Sequence, residues 1–459
     1  MNWSRIKGHY LLALAAILHL LVSASIIVAT RSGFLLAVFD QNGLGTTFAS
    51  DTRIFFSGTM QLVGILKAEG WAAWFNASFP SHTKIYSLSM AAFGPLVGHN
   101  ILAVEPVNLC CYLAILVVVF NLGRHVFSPG VGLVAAAVTA LWPSLLLHTT
   151  QFLKDPLFIA CLLSLVFLGV TLLTRTLTLS QGLISSLLTG ATVLVIWLIK
   201  PDSWELVLIV GTLSVTFLLI KAIKIRTISR GNAIAGASLV IALVVVPFTV
   251  SRYHNTDPFP FLSENAKRVK QQEKTGVALG GKRAIKQPSG TSNPIRRLRE
   301  RITWARYLYN SAYPVKGSNI DEDVLLESWG EMFLYLPRAT VIGMFAPFPN
   351  LWLGSGAQVG RSGRLIAGAE TLLMYVGYLF AAFALWMRRR NLVVWFLVAI
   401  ACCGAIALSL VVVNMGTLYR LRFPFWILLI IVATDGAFAL FQTLRGRKGN
   451  GLAVNLSDP

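Results

Sequence analysis

Charged residues are scarce in this sequence, and acidic ones most of all. Only 13% of the 459 residues are charged, with 19 Asp or Glu against 39 Lys or Arg, whereas soluble domains are about a quarter charged. The chain also lacks a P-loop, a GxGxxG after a strand, an HExxH and a paired CxxC, so no common nucleotide or zinc motif is present. These absences exclude the ordinary soluble enzyme classes and favour lipid as the surroundings of most of the chain.

Cysteine is also sparse, and its placement argues against disulfides and metal sites. All five cysteines lie inside apolar stretches, which predicts buried free thiols that act as small hydrophobic side chains. They are Cys110, Cys111, Cys161, Cys402 and Cys403.

The sequence is rich in apolar blocks long enough to cross a bilayer, which takes roughly 20 helical residues. The alternating ten-residue segments of a transmembrane β-barrel are absent. We therefore predict an all-α polytopic transmembrane helical bundle of about ten spans, the first of them retained as a signal anchor. The predicted spans are 10–30, 101–122, 129–148, 155–174, 182–199, 203–221, 232–250, 365–386, 391–413 and 424–442.

Three regions follow from these spans. Residues 1–250 form an N-terminal transmembrane module whose first external loop, 31–100, is partly helical around the apolar stretch Thr83–Val97. Residues 251–336 form a large basic external loop that is partly flexible at Lys267–Pro294 and helical at Arg296–Tyr313, where a basic amphipathic pattern suits an anionic membrane surface. Residues 337–459 hold a re-entrant or interfacial segment at 337–353, the C-terminal transmembrane module and a cytoplasmic tail; an eleventh span at 337–353 stays open.

The basic residues of the short connections predict the orientation. Alternate connections carry basic residues without any acid, which predicts that they and both termini are cytoplasmic. These residues are Arg5, Lys7, Arg124, Arg175, Lys221, Lys224, Arg226, Arg230, Arg388, Arg389, Arg390, Arg445, Arg447 and Lys448. The remaining polar residues then gather on the opposite face of the membrane.

Several residues on that opposite face could carry chemistry, since ionisable groups at the ends of spans are costly without partners. Asp51 could act as a general base on a hydroxyl, or it could be a solvated loop acid paired with Arg53. Asp155 opens a span, where the helix dipole alone would also favour an acid. Lys200, Arg420 and Arg422 could bind a phosphate, although interfacial anchoring explains the two arginines equally well. Further candidates for substrate binding are Arg53, His82, Lys84, Lys154 and Asp202.

The order of these residues and of the motifs around them resembles the GT-C superfamily of membrane glycosyltransferases, in particular the protein O-mannosyltransferase and lipid A aminoarabinose transferase family. The resemblance covers mainly residues 1–205 and 415–442. It is carried by an acid after the first span (Asp51), Pro80-Ser-His-Thr-Lys-Ile-Tyr, Phe93-Gly-Pro, Asn121-Leu-Gly-Arg-His-Val-Phe, Ala140-Leu-Trp-Pro-Ser, Asp155, Lys200-Pro-Asp and Tyr419-Arg-Leu-Arg-Phe-Pro. The chain departs from the family pattern at Lys154-Asp155 and in having a single acid at Asp51-Thr52.

The resemblance implies a transferase that moves a sugar from a polyprenyl-phosphate-linked donor to a lipid, glycan or protein acceptor on the outer face of the membrane. Asp51 and Asp155 would be the catalytic acids, and Lys200, Arg420 and Arg422 would bind the donor phosphate. A divalent cation near Asp155 is a candidate cofactor, although the residues alone predict no metal site. The implied location is the bacterial inner membrane and the implied role is in cell-envelope polysaccharide biosynthesis; nucleic acid is not an expected partner.

Two other functions stay open. An O-antigen-type polymerase or ligase would place essential arginines in the basic loop 251–336. A transporter or flippase of lipid-linked saccharide would need inverted repeats and charges near the middle of the membrane, and only Asp435 lies that deep in the sequence pattern.

Overall fold

The computed structural model describes residues 3–34, 43–46, 50–225, 228–254, 294–312, 319–354 and 360–453. These residues form sixteen α-helices and no strand, so the predicted all-α bundle is confirmed. In the first half the helices are α1 (Trp3–Arg31), α2 (Ser50–Asn76), α3 (Ser81–Val97), α4 (Glu105–Val126), α5 (Pro129–Ala140), α6 (Pro143–Thr149), α7 (Asp155–Thr174), α8 (Leu179–Ile199), α9 (Trp204–Ile225) and α10 (Arg230–His254). They continue with α11 (Pro294–Ala312), α12 (Trp329–Phe345), α13 (Gly360–Met387), α14 (Leu392–Val411), α15 (Met415–Leu421) and α16 (Phe423–Ala453).

Nine of the described helices are long and apolar enough to cross a membrane, and the bent pair α5 and α6 would make a tenth. These ten correspond to the ten spans that the sequence predicts. Large apolar side chains cover their outer surfaces; Leu187, Ile223 and Leu379 are all more than 70% exposed. Such a surface suits lipid, because a soluble protein of this size would not expose so many large apolar groups.

The span that α5 and α6 form together, the third in chain order, is bent by 66° between the two helices. The bend lies at Trp142-Pro143, where proline cannot continue the hydrogen-bond ladder of the preceding helix. The amide of Ser144, just after the bend, donates instead to the buried carboxylate of Glu370 on α13, at 2.6 Å. Glu370 also accepts from the hydroxyl of Tyr419. The bend is therefore stabilised by a side chain from a distant part of the chain.

The helix α11, which lies outside the spans, packs against protein on one face. Helix α11 forms where the basic amphipathic pattern is, but Arg306 and Leu308 are fully buried against protein, and α11 packs on α14. Arg306 donates to the carbonyls of Asp321, Val324 and Leu410. The buried face of α11 thus packs on the bundle, and the contact of its basic residues with a lipid surface stays a prediction. Nearly all of Lys267–Pro294 lies outside the described residues.

The segment 337–353 is divided between two short elements. Helix α12 runs through Pro337 and ends at Phe345, and a single 3-10 turn follows at Pro349–Leu351. The helix stops before Pro347, as the proline pattern predicts.

All five cysteines are free, but Cys110 and Cys403 are exposed on the apolar surface rather than buried.

The closest helix contact in the C-terminal module joins α13 to α16 at Gly436. A Cβ on Gly436 would lie 1.9 Å from the carbonyl oxygen of Phe380, whereas a Cβ on Gly190 of α8 would meet nothing within 4 Å. Gly436→Ala should therefore lower the free energy of unfolding by about 1–3 kcal/mol through overpacking. Gly190→Ala is the matched control and should be neutral or slightly stabilising, because Ala favours helix. Thermal unfolding in detergent measures both, and equal midpoints for the two variants would contradict the tight contact.

Candidate functional site

Four charged residues that are far apart in sequence meet at one end of the bundle, and we call them the charge cluster: Asp51, Asp155, Lys200 and Arg420. Asp51 lies in the first turn of α2, and Asp155 is the first residue of α7. Lys200 follows α8 directly, and Arg420 lies in the last turn of α15. Four separate helix ends thus contribute one charge each.

The charge cluster is a continuous chain of ion pairs. Arg420 Nη2 lies 2.5 Å from Asp51 Oδ2, and Arg420 Nε lies 2.8 Å from Asp155 Oδ2. The other oxygen of Asp155 accepts from Lys200 Nζ at 2.6 Å. Each oxygen of Asp155 therefore contacts a different cation, and Arg420 joins the two carboxylates.

Burial differs along this chain of charges. The side chains of Asp155 and Lys200 are 5% and 3% exposed, whereas that of Asp51 is 27% exposed. Burial lowers the pKa of Lys200, and the neighbouring carboxylates of Asp155 and Asp202 oppose this effect. Lys200 Nζ also lies 5.0 Å from the ring centre of Phe158, a distance at which the ring face attracts a cation. Asp155 and Lys200 thus form a closed inner pair, and Asp51 is the end that solvent and ligands can reach.

A second ion pair lies beside the charge cluster. Lys154 Nζ lies 3.3 Å from Asp202 Oδ1; Lys154 directly precedes Asp155 in sequence, and Asp202 lies two residues after Lys200. The structure therefore brings Lys154 and Asp202, two predicted substrate-binding residues, next to the four.

A buried hydrogen-bond network fixes the turn that leads into Asp155. The Tyr86 hydroxyl donates to the Leu153 carbonyl at 2.7 Å and lies 2.9 Å from Asn108 Oδ1. Asn108 Nδ2 donates to the Gln151 carbonyl at 3.2 Å, and Gln151 Nε2 donates to the Gly45 carbonyl at 3.3 Å. Sequence reasoning missed Tyr86 and Asn108. An asparagine inside an apolar span was the available signal, because such a group needs a buried partner.

His82 lies in the first turn of α3 and is 4% exposed. Its ring contacts Phe55 edge-on, with ring centres 4.5 Å apart. Burial, together with the positive charges of Lys154 and Lys200 and against the effect of Asp155, lowers its pKa from 6.5 to about 3. His82 is therefore a neutral imidazole within electrostatic reach of the charge cluster.

The other predicted residues lie elsewhere. Arg422 is fully buried and donates to the carbonyls of Gly343 and Ala346 at 2.9 and 2.5 Å, with its guanidinium 4.3 Å from the ring centre of Trp426. Its contacts anchor the end of α12, and this geometry does not suit the predicted phosphate contact. Lys84 donates to the Phe75 carbonyl at 2.6 Å, near the far end of α2. Arg53 is exposed.

The donor set of the site does not fit a divalent cation. Among the described residues there is no group of three or more His, Cys, Asp or Glu side chains that could hold a metal. The two carboxylates of the charge cluster also both contact the guanidinium of Arg420, which occupies the position that a bridging cation would need. We therefore derive no step through a metal ion.

Comparison with known proteins identifies no family for this chain. No protein-family model matches this chain, and no curated protein matches it. The function of the site thus has to be argued from its geometry.

Replacing Asp155 tests whether the inner pair supports the fold. Asp155→Asn leaves Lys200 buried without its counter-charge and should lower the free energy of unfolding by about 3–5 kcal/mol. The double variant Asp155→Asn with Lys200→Met should recover part of this loss. Asp323→Asn is the control, because Asp323 is an exposed acid outside the cluster, and exposed charges contribute little to stability. Thermal unfolding in detergent measures all three; a double variant no more stable than Asp155→Asn would contradict this account.

The low pKa of His82 predicts a pH dependence of stability. An unfolded histidine takes up its proton near pH 6.5 and the folded His82 only near pH 3, so the unfolded chain binds more protons between these values. Stability should then fall as the pH falls through this window, by at most about 1.4 kcal/mol per pH unit from this group. Thermal midpoints between pH 7 and pH 5 should fall less steeply for His82→Gln than for the wild type. A slope unchanged in His82→Gln would assign the effect to another group.

Proposed function

We propose that this protein is a membrane glycosyltransferase that moves a sugar from a polyprenyl-phosphate-linked donor to a hydroxyl of a lipid, glycan or protein acceptor. The observation that carries the proposal is the convergence of Asp51, Asp155, Lys200 and Arg420 at one end of the bundle. That end is the one for which the basic residues predict the outer face of the membrane. The membrane would be the bacterial inner membrane, with both termini in the cytoplasm.

The charge cluster supplies the two kinds of group that this reaction needs. Arg420 is a cation that can bind the donor phosphate, and the buried Lys200 adds positive charge behind it that helps to stabilise the charge developing on the leaving group. Asp51 is a carboxylate with a partly exposed side chain, so it can meet an acceptor hydroxyl. The two carboxylates and the two cationic side chains of the cluster cancel in charge, so the cluster is neutral before the donor binds.

Donor binding would change the partner of Arg420. An incoming phosphate competes with Asp51 for the Arg420 guanidinium, because Asp51 is the more exposed of its two carboxylate partners. Asp155 stays paired with Lys200 and keeps both cations in position. Asp51 is then released from its ion pair once the donor is in place, so its oxygens are free to accept the proton of an acceptor hydroxyl.

In the transfer step, the acceptor oxygen forms a bond to the anomeric carbon of the sugar as the bond from that carbon to the phosphate oxygen breaks. The electron pair leaves with the polyprenyl phosphate, where Arg420 and Lys200 stabilise it. The acceptor hydroxyl gives its proton to Asp51, which later releases it to solvent. Asp155 is a positioning residue in this scheme.

The described arginines give less support to a polymerase or ligase that would use the basic loop. Arg306 of that loop is buried and donates to the carbonyls of Val324 and Leu410, so it holds the loop against α14. A transporter gains no support from Asp435, which forms an ion pair with Arg388 at 3.2 Å, at the opposite end of the bundle from the charge cluster. The transferase is therefore the function that we favour.

Asp51→Asn should reduce sugar transfer by about 10²–10⁴-fold, because the amide cannot accept the proton. The assay is transfer from undecaprenyl-phosphate-linked sugars to a cell-envelope acceptor fraction by purified protein. Asp323→Asn is the matched control, since Asp323 is an exposed acid outside the cluster, and its activity should equal that of the wild type. A rate of sugar transfer by Asp51→Asn equal to that of the wild type would show that Asp51 is not the general base.

Arg420→Lys tests whether the donor phosphate requires the guanidinium of Arg420 or only its positive charge. Lysine keeps the positive charge but loses the planar fork that contacts both carboxylates, so the KM for the donor should rise by about tenfold or more. The chain offers Arg338→Lys as a control, because Arg338 pairs with Asp321 at 3.0 Å outside the site. An unchanged KM in Arg420→Lys would show that Arg420 does not touch the donor.

A further inference from the structure

Two buried polar side chains next to the charge cluster have no hydrogen-bond partner among the described residues. They are the Thr52 hydroxyl and both ring nitrogens of His82. Thr52 is fully buried and His82 is 4% exposed. Buried polar atoms are nearly always hydrogen-bonded in proteins, and each exception requires an explanation.

Both side chains lie beside the charge cluster. Thr52 is adjacent in sequence to Asp51, and the His82 ring contacts Phe55, which is one helical turn further along α2. Tyr86, one turn after His82 on the same face of α3, donates to the Leu153 carbonyl. His82 therefore lies at the level of Lys154 and Asp155, whose charges act on it.

Thr59 on the same helix shows how a buried threonine is ordinarily satisfied. Thr59 is also fully buried, and its hydroxyl donates to the Phe55 carbonyl at 2.7 Å, four residues earlier. Thr52 makes no such bond among the described residues. Thr52 lies in the first turn of α2, which begins at Ser50, so no residue of the helix lies four positions before it to accept its proton, and a group outside the helix has to be its partner.

We propose that Thr52 and His82 form a subsite, between α2 and α3, that binds hydroxyl groups of the transferred sugar. This inference rests on the proposed glycosyltransferase function and names the part of the substrate that these two residues recognise. The site then has two halves: cations for the phosphate, and uncharged hydrogen-bonding groups for the sugar.

The chemistry of the two side chains fits hydroxyl groups better than phosphate. A threonine hydroxyl and a neutral imidazole each offer both a donor and an acceptor, and a sugar hydroxyl requires both. A phosphate anion offers acceptors only, and it would be drawn to Arg420 and Lys200. The low pKa of His82 keeps its acceptor nitrogen unprotonated across the physiological pH range.

Thermal shifts with two lipid probes test the subsite. The probes are undecaprenyl phosphate and the same lipid carrying a single hexose, added to purified protein in detergent. Wild-type protein should be stabilised by both, and more by the sugar-linked lipid. Thr52→Val should lose most of the extra stabilisation, with about five- to tenfold weaker binding of the sugar-linked lipid, and should keep the response to undecaprenyl phosphate. Thr59→Val should keep both responses.

The unliganded stability of the same variants provides a second readout. Thr52→Val should be as stable as the wild type or more so, because an unpartnered buried hydroxyl is removed. His82→Phe should behave in the same way while losing the extra stabilisation by the sugar-linked lipid. His82→Gln, which retains a donor and an acceptor, should restore part of it.

The outcomes separate the two proposals. If Thr52→Val and His82→Phe respond to the sugar-linked lipid as the wild type does, the subsite is wrong and the glycosyltransferase proposal stands. If neither lipid stabilises the wild type, the proposed function is overturned and the subsite with it. Equal loss for both lipids in Thr52→Val would also overturn the subsite, because the effect would then not involve the sugar.

Discussion

The Asp155 carboxylate accepts from Lys200 with one oxygen and from Arg420 with the other, and this double pairing determines how one end of the bundle is assembled. A buried charge with no water around it is stable only beside opposite charge and hydrogen-bond donors. Three helix ends therefore have to meet at Asp155: the start of α7, the residue after α8 and the last turn of α15. Asp51 on α2 joins them through the second contact of Arg420.

The same constraint governs three other acids within the spans. Glu105 contacts His19 Nδ1 at 2.5 Å and accepts from Ser23 at 2.8 Å. Glu370 accepts from Ser144 across the bend between α5 and α6, and Asp435 pairs with Arg388. In a membrane, such polar contacts connect helices that lipid would otherwise solvate as well as protein does. Each of these three acids thus has a partner from outside its own helix, as the cost of an unpaired charge in a span requires.

The function that we propose uses a cluster whose inner part is stable and whose outer part can exchange partners. Asp155 and Lys200 are closed from solvent, so they keep Arg420 in place. Asp51 is more exposed and shares Arg420, so a phosphate can replace it there without taking apart the inner pair. Thr52 and His82 extend the proposed site with uncharged groups. The hydrogen bond from the Tyr86 hydroxyl to the Leu153 carbonyl fixes the turn before Asp155.

The sequence by itself determined the ten apolar segments, because the length and hydropathy that a bilayer requires can be read locally. It also placed Asp51 in an external loop and Asp155, Lys200 and Arg420 at the ends of spans, all on one predicted face of the membrane. Only the tertiary structure decided that Asp51 and Arg420, 369 residues apart, touch each other, because sequence order carries no information about which helix ends are neighbours. It likewise decided that Arg422 turns away to the carbonyls at the end of α12, although its position in the sequence resembles that of Arg420. Two residues apart on a helical turn, these arginines point in different directions, and the packing of α12 determined which one reached the carboxylates.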